Sequence, residues 1–274
     1  MAVIEPCSSV RREVIVFMGY DAWLDPFEIQ RFRLLADRWH ARVVIPETPG
    51  CSLRPSRVTG AEASDLVSGE FRVLGNRMLR LARAHLRDQL RLPTHLVGYS
   101  MGASVAAASI SDSSNWRPQS VTLIEPVALH TWSVGQIVSA VRRENNLNSR
   151  YLEANASWRG TNQPPNQHGR RGPKRHRTSQ LLQANALRAG RIPNDILEAH
   201  QRRSAGVQAQ PVIVVHGEES RLSTLEGNNR MLGGWSAAGL HATDIAMPGS
   251  HGIWQSLNCV ETLAGRIVET WDSL

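Results

Sequence analysis

A chain of 274 residues with 41% hydrophobic content can bury a sizeable core, as one large domain or as one domain carrying an inserted cap. Its formal net charge of +7 raises the question of nucleic acid, but Lys174 is the only lysine, the charge is uneven, with Arg170, Arg171, Lys174, Arg175 and Arg177 crowded into one short segment, and no nucleic-acid-binding motif accompanies them. No apolar run approaches the ~20 residues that span a bilayer, and Cys7, Cys51 and Cys259 are too scattered for a disulfide framework or a zinc site. Residues 1–9 lack the basic start and apolar core of an export signal, so the expectation is a cytoplasmic protein with no metal or other cofactor and no nucleic-acid or membrane partner.

In chain order, Glu13 to Met18 (E-V-I-V-F-M) is an apolar, β-branched run of strand length ended by Gly19, which predicts a buried strand. Asp25 and Pro26 then offer an N-cap and a proline at the first helical position, with Glu28 in the capping-box place, so a helix is expected to about His40. Phe32, Leu35, Ala36 and Trp39 give that helix one apolar stripe. Arg42 to Ile45 reads as the next strand, and Pro46 to Pro55 as a turn-rich loop. From Ala61 to Arg91 the pattern is helical, with Leu74, Met78, Leu81 and Ala82 on one face, until Pro93 stops it. Leu96 and Val97 end a short apolar run, Gly98-Tyr99-Ser100-Met101-Gly102 follows, and the small residues Ala103 to Ala108 come at once after it, which predicts strand, sharp turn and helix. Ser120 to Glu125, Pro211 to His216 and His241 to Met247 are three further strands, and Ser256 to Trp271 is a closing helix. Strands that alternate with helices in this way predict an α/β fold with a mostly parallel central sheet and helices on both faces.

The interval from His130 to Gln210 breaks the rhythm. Val134 to Arg143 and Ser179 to Ala189 are helical in pattern, while Ser157 to Arg177 is rich in Gly, Pro, Asn and Arg and is expected to be a mobile basic loop. The expected organisation is therefore a core made of 1–129 and 211–274, with 130–210 inserted as a helical lid.

The G-x-S-x-G at 98–102 carries chemistry because a serine on so tight a turn has its hydroxyl exposed, and side chains two residues before and after it would collide across the turn. Ser100 is the candidate nucleophile. A serine needs a base to take its proton, and His251, in a glycine-rich loop before the closing helix, is the candidate.

An ordered set of matches gives these residues a family resemblance. V-I-V-F-M-G-Y at 14–20, P-E-T-P-G-C-S at 46–52, G-Y-S-M-G at 98–102, P-V-I-V-V-H-G at 211–217 and P-G-S-H-G at 248–252 together resemble the α/β-hydrolase superfamily across essentially the whole chain, most nearly its serine-hydrolase and thioesterase-like members. The resemblance implies a serine nucleophile, a chain order of serine, acid and histidine, and an oxyanion hole made by the backbone N–H groups of Tyr20 and Met101. Two positions depart from the family pattern. Met18 stands where a histidine usually precedes the oxyanion glycine, and Ser220 stands where the family's usual H-G-x-x-D acid would be, in H-G-E-E-S. Three glutamates compete for the acid's role. Glu218 and Glu219 follow the strand that usually delivers it, whereas Glu125 closes the strand after the elbow helix, the place used by polyketide-type thioesterases and one branch of haloalkane dehalogenases. Glu125 is the acid expected.

Trp23, Tyr99, Trp132 and Trp254 flank the motif residues and are candidates to line an apolar substrate pocket. The expected function is a serine-dependent hydrolase or acyltransferase that acts on an ester or thioester of a small molecule, free or tethered to a carrier protein. The alternative is a non-hydrolytic member of the fold, either a cyclase- or isomerase-like enzyme or a small-molecule receptor.

Overall fold

The computed structural model describes residues 1–52, 56–87, 92–111, 116–154, 173–202 and 210–274, with the side chains of 149–154 excepted. Seven strands form the central sheet: β1 (Ala2–Ile4), β2 (Arg12–Phe17), β3 (Ala41–Ile45), β5 (Thr94–Tyr99), β6 (Ser120–Ile124), β8 (Val212–Gly217) and β9 (Ala242–Met247). Their spatial order is β1-β3-β2-β5-β6-β8-β9, parallel throughout except for the edge strand β1, which runs antiparallel to β3. Two further short strands, β4 (Cys51–Ser52) and β7 (Lys174–Arg175), pair with each other outside the sheet.

Period-two alternation sorts the strand residues between two cores, which is why the strands read as unbroken apolar runs. Ile15, Phe17, Leu96, Val121, Leu123, Val212 and Val214 face one core. That core is shared with α3 (Arg72–Arg83), α4 (Met101–Ser111), α7 (Ile192–Gln201) and α8 (Leu225–Ala237). Val14, Val16, Val97, Tyr99, Ile124, Ile213 and Val215 face the other, against α1 (Pro26–Trp39) and α9 (Leu257–Asp272). The N-cap of α1 is the expected one, since Asp25 accepts a hydrogen bond from the Glu28 N–H at 2.7 Å. The stripe of Phe32, Leu35, Ala36 and Trp39 is fully buried.

The structure departs from the sequence reading in several places. The expected long helix at 61–91 is two helices, α2 (Gly60–Val67) and α3. The chain turns between them at Gly69, whose φ of +84° is left-handed and where a Cβ would meet Ala189 Cβ at 2.6 Å. The buried face of α3 is Leu74, Gly75, Met78, Leu79 and Ala82, so Leu81, half-exposed at 51%, lies off the stripe it was expected to join. β1, α7 and α8 have no counterpart in the sequence reading. Within 130–210 lie α5 (Val134–Ala154), α6 (Arg177–Leu187) and α7, and α7 buries Ile192, Ile196 and Ala199 in the same core as α4. Most of the expected basic loop, 157–172 of 157–177, lies outside the described residues; in its last part Lys174 and Arg175 pair with β4 and α6 begins at Arg177. No helix among the described residues is long and apolar enough to cross a membrane.

Candidate active site

The turn between β5 and α4 places Ser100 at the carboxyl edge of the sheet. Its φ is +55°, a left-handed conformation that costs a non-glycine residue roughly 1–3 kcal/mol and persists only where the surroundings enforce it. Enforcement comes from both sides. The Ser100 N–H donates to Ile124 O at 2.8 Å, and a Cβ on Gly98 would overlap the backbone of Gly102, as one on Gly102 would overlap that of Phe17. Glycine at 98 and 102 is thus a packing requirement of the turn.

The imidazole of His251 faces that hydroxyl. Nε2 lies 3.0 Å from Ser100 Oγ, and Nδ1 lies 2.8 Å from Glu125 Oε2. A carboxylate only accepts, so Nδ1 carries the proton and Nε2 is left as the acceptor for the serine hydroxyl. Glu125 is fully buried, also has a left-handed φ of +50°, and its N–H donates to Val215 O at 2.7 Å. Its carboxylate is held on three sides: the Gly217 N–H donates to Oε1, while Oε2 takes the His251 contact and a 2.7 Å hydrogen bond from the Ser220 hydroxyl. Ser220, standing where the family's aspartate would be, serves a carboxylate delivered from the neighbouring strand. Glu218 and Glu219 are exposed, and only their backbone joins the site: their N–H groups donate to Met247 O and Gly249 O at 2.9 Å.

Around Ser100 opens a cavity of about 690 Å³, within the range of small-molecule sites. One wall is the loop after β2, with Gly19, Tyr20 and Trp23; another is α5, with Ile137 and Val141. Tyr20 and Ser100 both line this cavity, and Met101 is the first residue of α4, whose leading N–H groups have no acceptor within the helix. Trp254 and Tyr99 form the aromatic floor. Their rings stack at 5.0 Å, and Tyr99 in turn stacks on His251 at 5.4 Å. Burial raises the Tyr99 phenol, which stays a donor and reaches His251 O at 3.1 Å. Trp132 does not belong here: its ring packs on His130 at 4.2 Å and its indole N–H donates to Val127 O at 3.0 Å, outside the cavity. Trp23, Tyr99 and Trp254 do line it.

Asp21, which lines the cavity, and Cys51 behind it are accounted for structurally. Burial and the neighbouring Asp21 push the Cys51 thiol up to about 12, so it is protonated and donates to Asp21 O at 3.3 Å. Burial works against the charge of Asp21, but Arg175 at 2.8 Å, Cys51 and Gln180 at 2.6 Å outweigh it and hold its carboxyl below the usual range. Sequence reasoning missed Ser220 as a partner of Glu125, although its place in H-G-E-E-S was visible. It missed Glu144 and Asn148 of α5 altogether. Glu144 Oε1 accepts from the His251 N–H and Oε2 from the Arg221 N–H, both at 2.6 Å, and Asn148 Oδ1 accepts from the Ser250 hydroxyl at 2.6 Å. The spacing of Ile137, Val141, Glu144 and Asn148 along one helix face was the available signal.

Comparison with solved structures places this architecture. A thioesterase domain from the curacin biosynthetic pathway superposes with a TM-score of 0.58 at 18% identity, over 98% of this chain and 93% of its own. The chain has the α/β-hydrolase fold. A thermostable carboxyl esterase from Bacillus coagulans gives a TM-score of 0.63 at 13% identity, covering 99% and 92% of the two chains. A soluble variant of monoglyceride lipase from Saccharomyces cerevisiae gives 0.62 at 12% identity, covering 99% and 90%. No family model matches the chain, and no curated protein sequence does. At such identities the likeness is one of fold, and activity has to be argued from the site.

Proposed function

We propose that this chain is a serine hydrolase or acyltransferase that cleaves an ester or thioester of a small molecule through an acyl-enzyme. The observation that carries this reading is the unbroken relay from Ser100 Oγ to His251 Nε2 at 3.0 Å and from His251 Nδ1 to Glu125 Oε2 at 2.8 Å, opening into a cavity. In the first half-reaction His251 Nε2 takes the proton as Ser100 Oγ bonds to the acyl carbon; the resulting oxyanion is met by the N–H groups of Tyr20 and Met101. The imidazolium then gives its proton to the leaving alkoxide or thiolate. In the second half-reaction the same nitrogen deprotonates water, or an acceptor alcohol, amine or thiol, and Ser100 is released with its proton restored. Glu125, buried and held by its three donors, keeps the neutral imidazole in the required tautomer and stays hydrogen-bonded to the imidazolium that forms.

The cavity's aromatic floor and the apolar face of α5 suit a largely apolar acyl group, presented free or on a carrier protein. The helices of the insertion, α5 and α6, would serve as a lid over it. The test is labelling with a fluorophosphonate, followed by mass spectrometry of the modified peptide. Stoichiometric capture at Ser100, with turnover of p-nitrophenyl esters or acyl thioesters, is expected. Folded protein that neither labels nor turns over would overturn the reading in favour of a non-acyl enzyme or receptor on the same fold.

A further inference from the structure

We propose that Glu144 is a positioning residue for the histidine, so that helix α5 of the insertion is part of the machinery it covers; this rests on the acyl-enzyme reading. Glu144 is 1% exposed, and each carboxylate oxygen takes one backbone N–H from a different loop. Oε1 accepts from His251 and Oε2 from Arg221, both at 2.6 Å. The two loops are the ones that build the relay. One carries the imidazole, and the other carries Ser220, whose hydroxyl holds Glu125 Oε2 at 2.7 Å. A single buried side chain therefore ties the base to the residue that fixes its acid.

The rest of the histidine's peptide is held with equal care. Its carbonyl accepts from the Tyr99 hydroxyl at 3.1 Å, and the preceding Ser250 hydroxyl donates to Asn148 Oδ1 at 2.6 Å. Asn148 lies four residues beyond Glu144, hence on the same face of α5. Along this face Ile137 and Val141 meet the substrate cavity, and Glu144 and Asn148 meet the histidine loop. A substrate that presses on the apolar half of the helix consequently presses on the polar half too. The imidazole's reach to Ser100 is fixed by where α5 sits, and an error of about 1 Å in such a distance can cost on the order of 100-fold in rate.

The experiment compares wild type with Glu144→Gln and Asn148→Ala. Glutamine keeps the shape but turns an NH2 toward one of the two amides, so Glu144→Gln should lower kcat about 10- to 100-fold with KM within about twofold, and slow fluorophosphonate labelling of Ser100 in the same proportion. Asn148→Ala, which leaves the Glu144 bonds in place, should show a smaller loss of the same kind. An activity-independent arm measures amide hydrogen exchange. At least one of the His251 and Arg221 N–H groups, the one left facing the NH2, should lose protection in Glu144→Gln, while amides of the β8 strand keep theirs. A kcat and labelling rate within about twofold of wild type, or unchanged protection at both amides, would overturn the proposal. If wild type neither labels nor turns over, the acyl-enzyme reading falls, and the exchange arm still decides whether Glu144 holds the histidine loop.

Discussion

Ser100 and Glu125 share a backbone trait that is uncommon for residues with side chains, a φ of +55° in one and +50° in the other. Each follows a central strand, and each is locked by an N–H donated to the neighbouring strand's end, Ser100 to Ile124 O and Glu125 to Val215 O. The pair of strained turns brings a hydroxyl and a carboxylate to opposite sides of one imidazole. Ser100→Ala removes only an oxygen from a nearly enclosed site, so turnover should vanish while the thermal midpoint stays close to wild type; a variant that retains turnover would refute the nucleophile. For the acid, Glu125→Gln should reduce kcat by about 10⁴, the penalty for leaving the imidazole in the wrong tautomer. Glu219→Gln, at an exposed position, should cost nothing, and the reverse ranking in steady-state assays would move the acid to the later loop. Ser220→Ala strips one of the donors from the carboxylate, and its effect on kcat should be far smaller than that of Glu125→Gln because the other contacts remain.

At the scale of elements, the elbow depends on backbones that touch. A Cβ on Gly102 would overlap the carbonyl of Phe17 on β2, and neither backbone can yield without disturbing the sheet. Gly102→Ala should therefore destabilise by about 3 kcal/mol or more, read as a lowered urea midpoint, and near-wild-type stability would contradict the close approach. This element was legible in the sequence because its requirement is local, two glycines at fixed distance from a serine between an apolar strand and a run of small residues. The sheet strands were legible for a similar reason, being apolar on both faces. What stayed hidden depends on partners far along the chain. Gly69 falls within the helical pattern of 61–91, and only its left-handed φ beside Ala189 makes it a turn. In α7 the buried stripe of Ile192, Asp195, Ile196 and Ala199 includes an acidic residue, and α8 buries Gly227 and Asn228 beside Met231 and Trp235, so neither shows a clean apolar period. The acid lies between the two cases: the resemblance favours Glu125 over Glu218 and Glu219, and the order of β5, β6 and β8 in the sheet is what brings Glu125 to the histidine.

At the scale of the whole molecule, two of the buried ionisable groups away from Ser100, His95 and Asp195, bear on stability with opposite sign. His95, at the start of β5, stacks on Trp271 of α9 at 4.2 Å and shares a 2.8 Å hydrogen bond with Ser120 Oγ. Burial, reinforced by the Arg12 charge, brings it from 6.5 down to about 3. Asp195 of α7 sits 3.8 Å from Arg72 and 3.7 Å from Arg191. Burial pushes its carboxyl from 3.8 up to about 7 against those two charges, with Glu198 and Glu70 adding to the rise. As pH falls from 6.5 toward 3, the unfolded chain protonates at residue 95 and the native state does not, so native stability is lost across that window. Asp195 behaves in reverse. Between 7 and 3.8 the native state holds a proton that the unfolded chain lacks, so native stability is gained as pH falls through that range. Where the windows overlap, each group bends stability by about 1.4 kcal/mol per pH unit and the two largely offset. His95→Gln should therefore become more stable relative to wild type as pH is lowered from neutrality to about 4, and Asp195→Asn less stable over the same range. Urea titrations of the three proteins at each pH read this directly. If both variants' stabilities run parallel to wild type across the range, neither buried group is linked to folding and the offset does not exist.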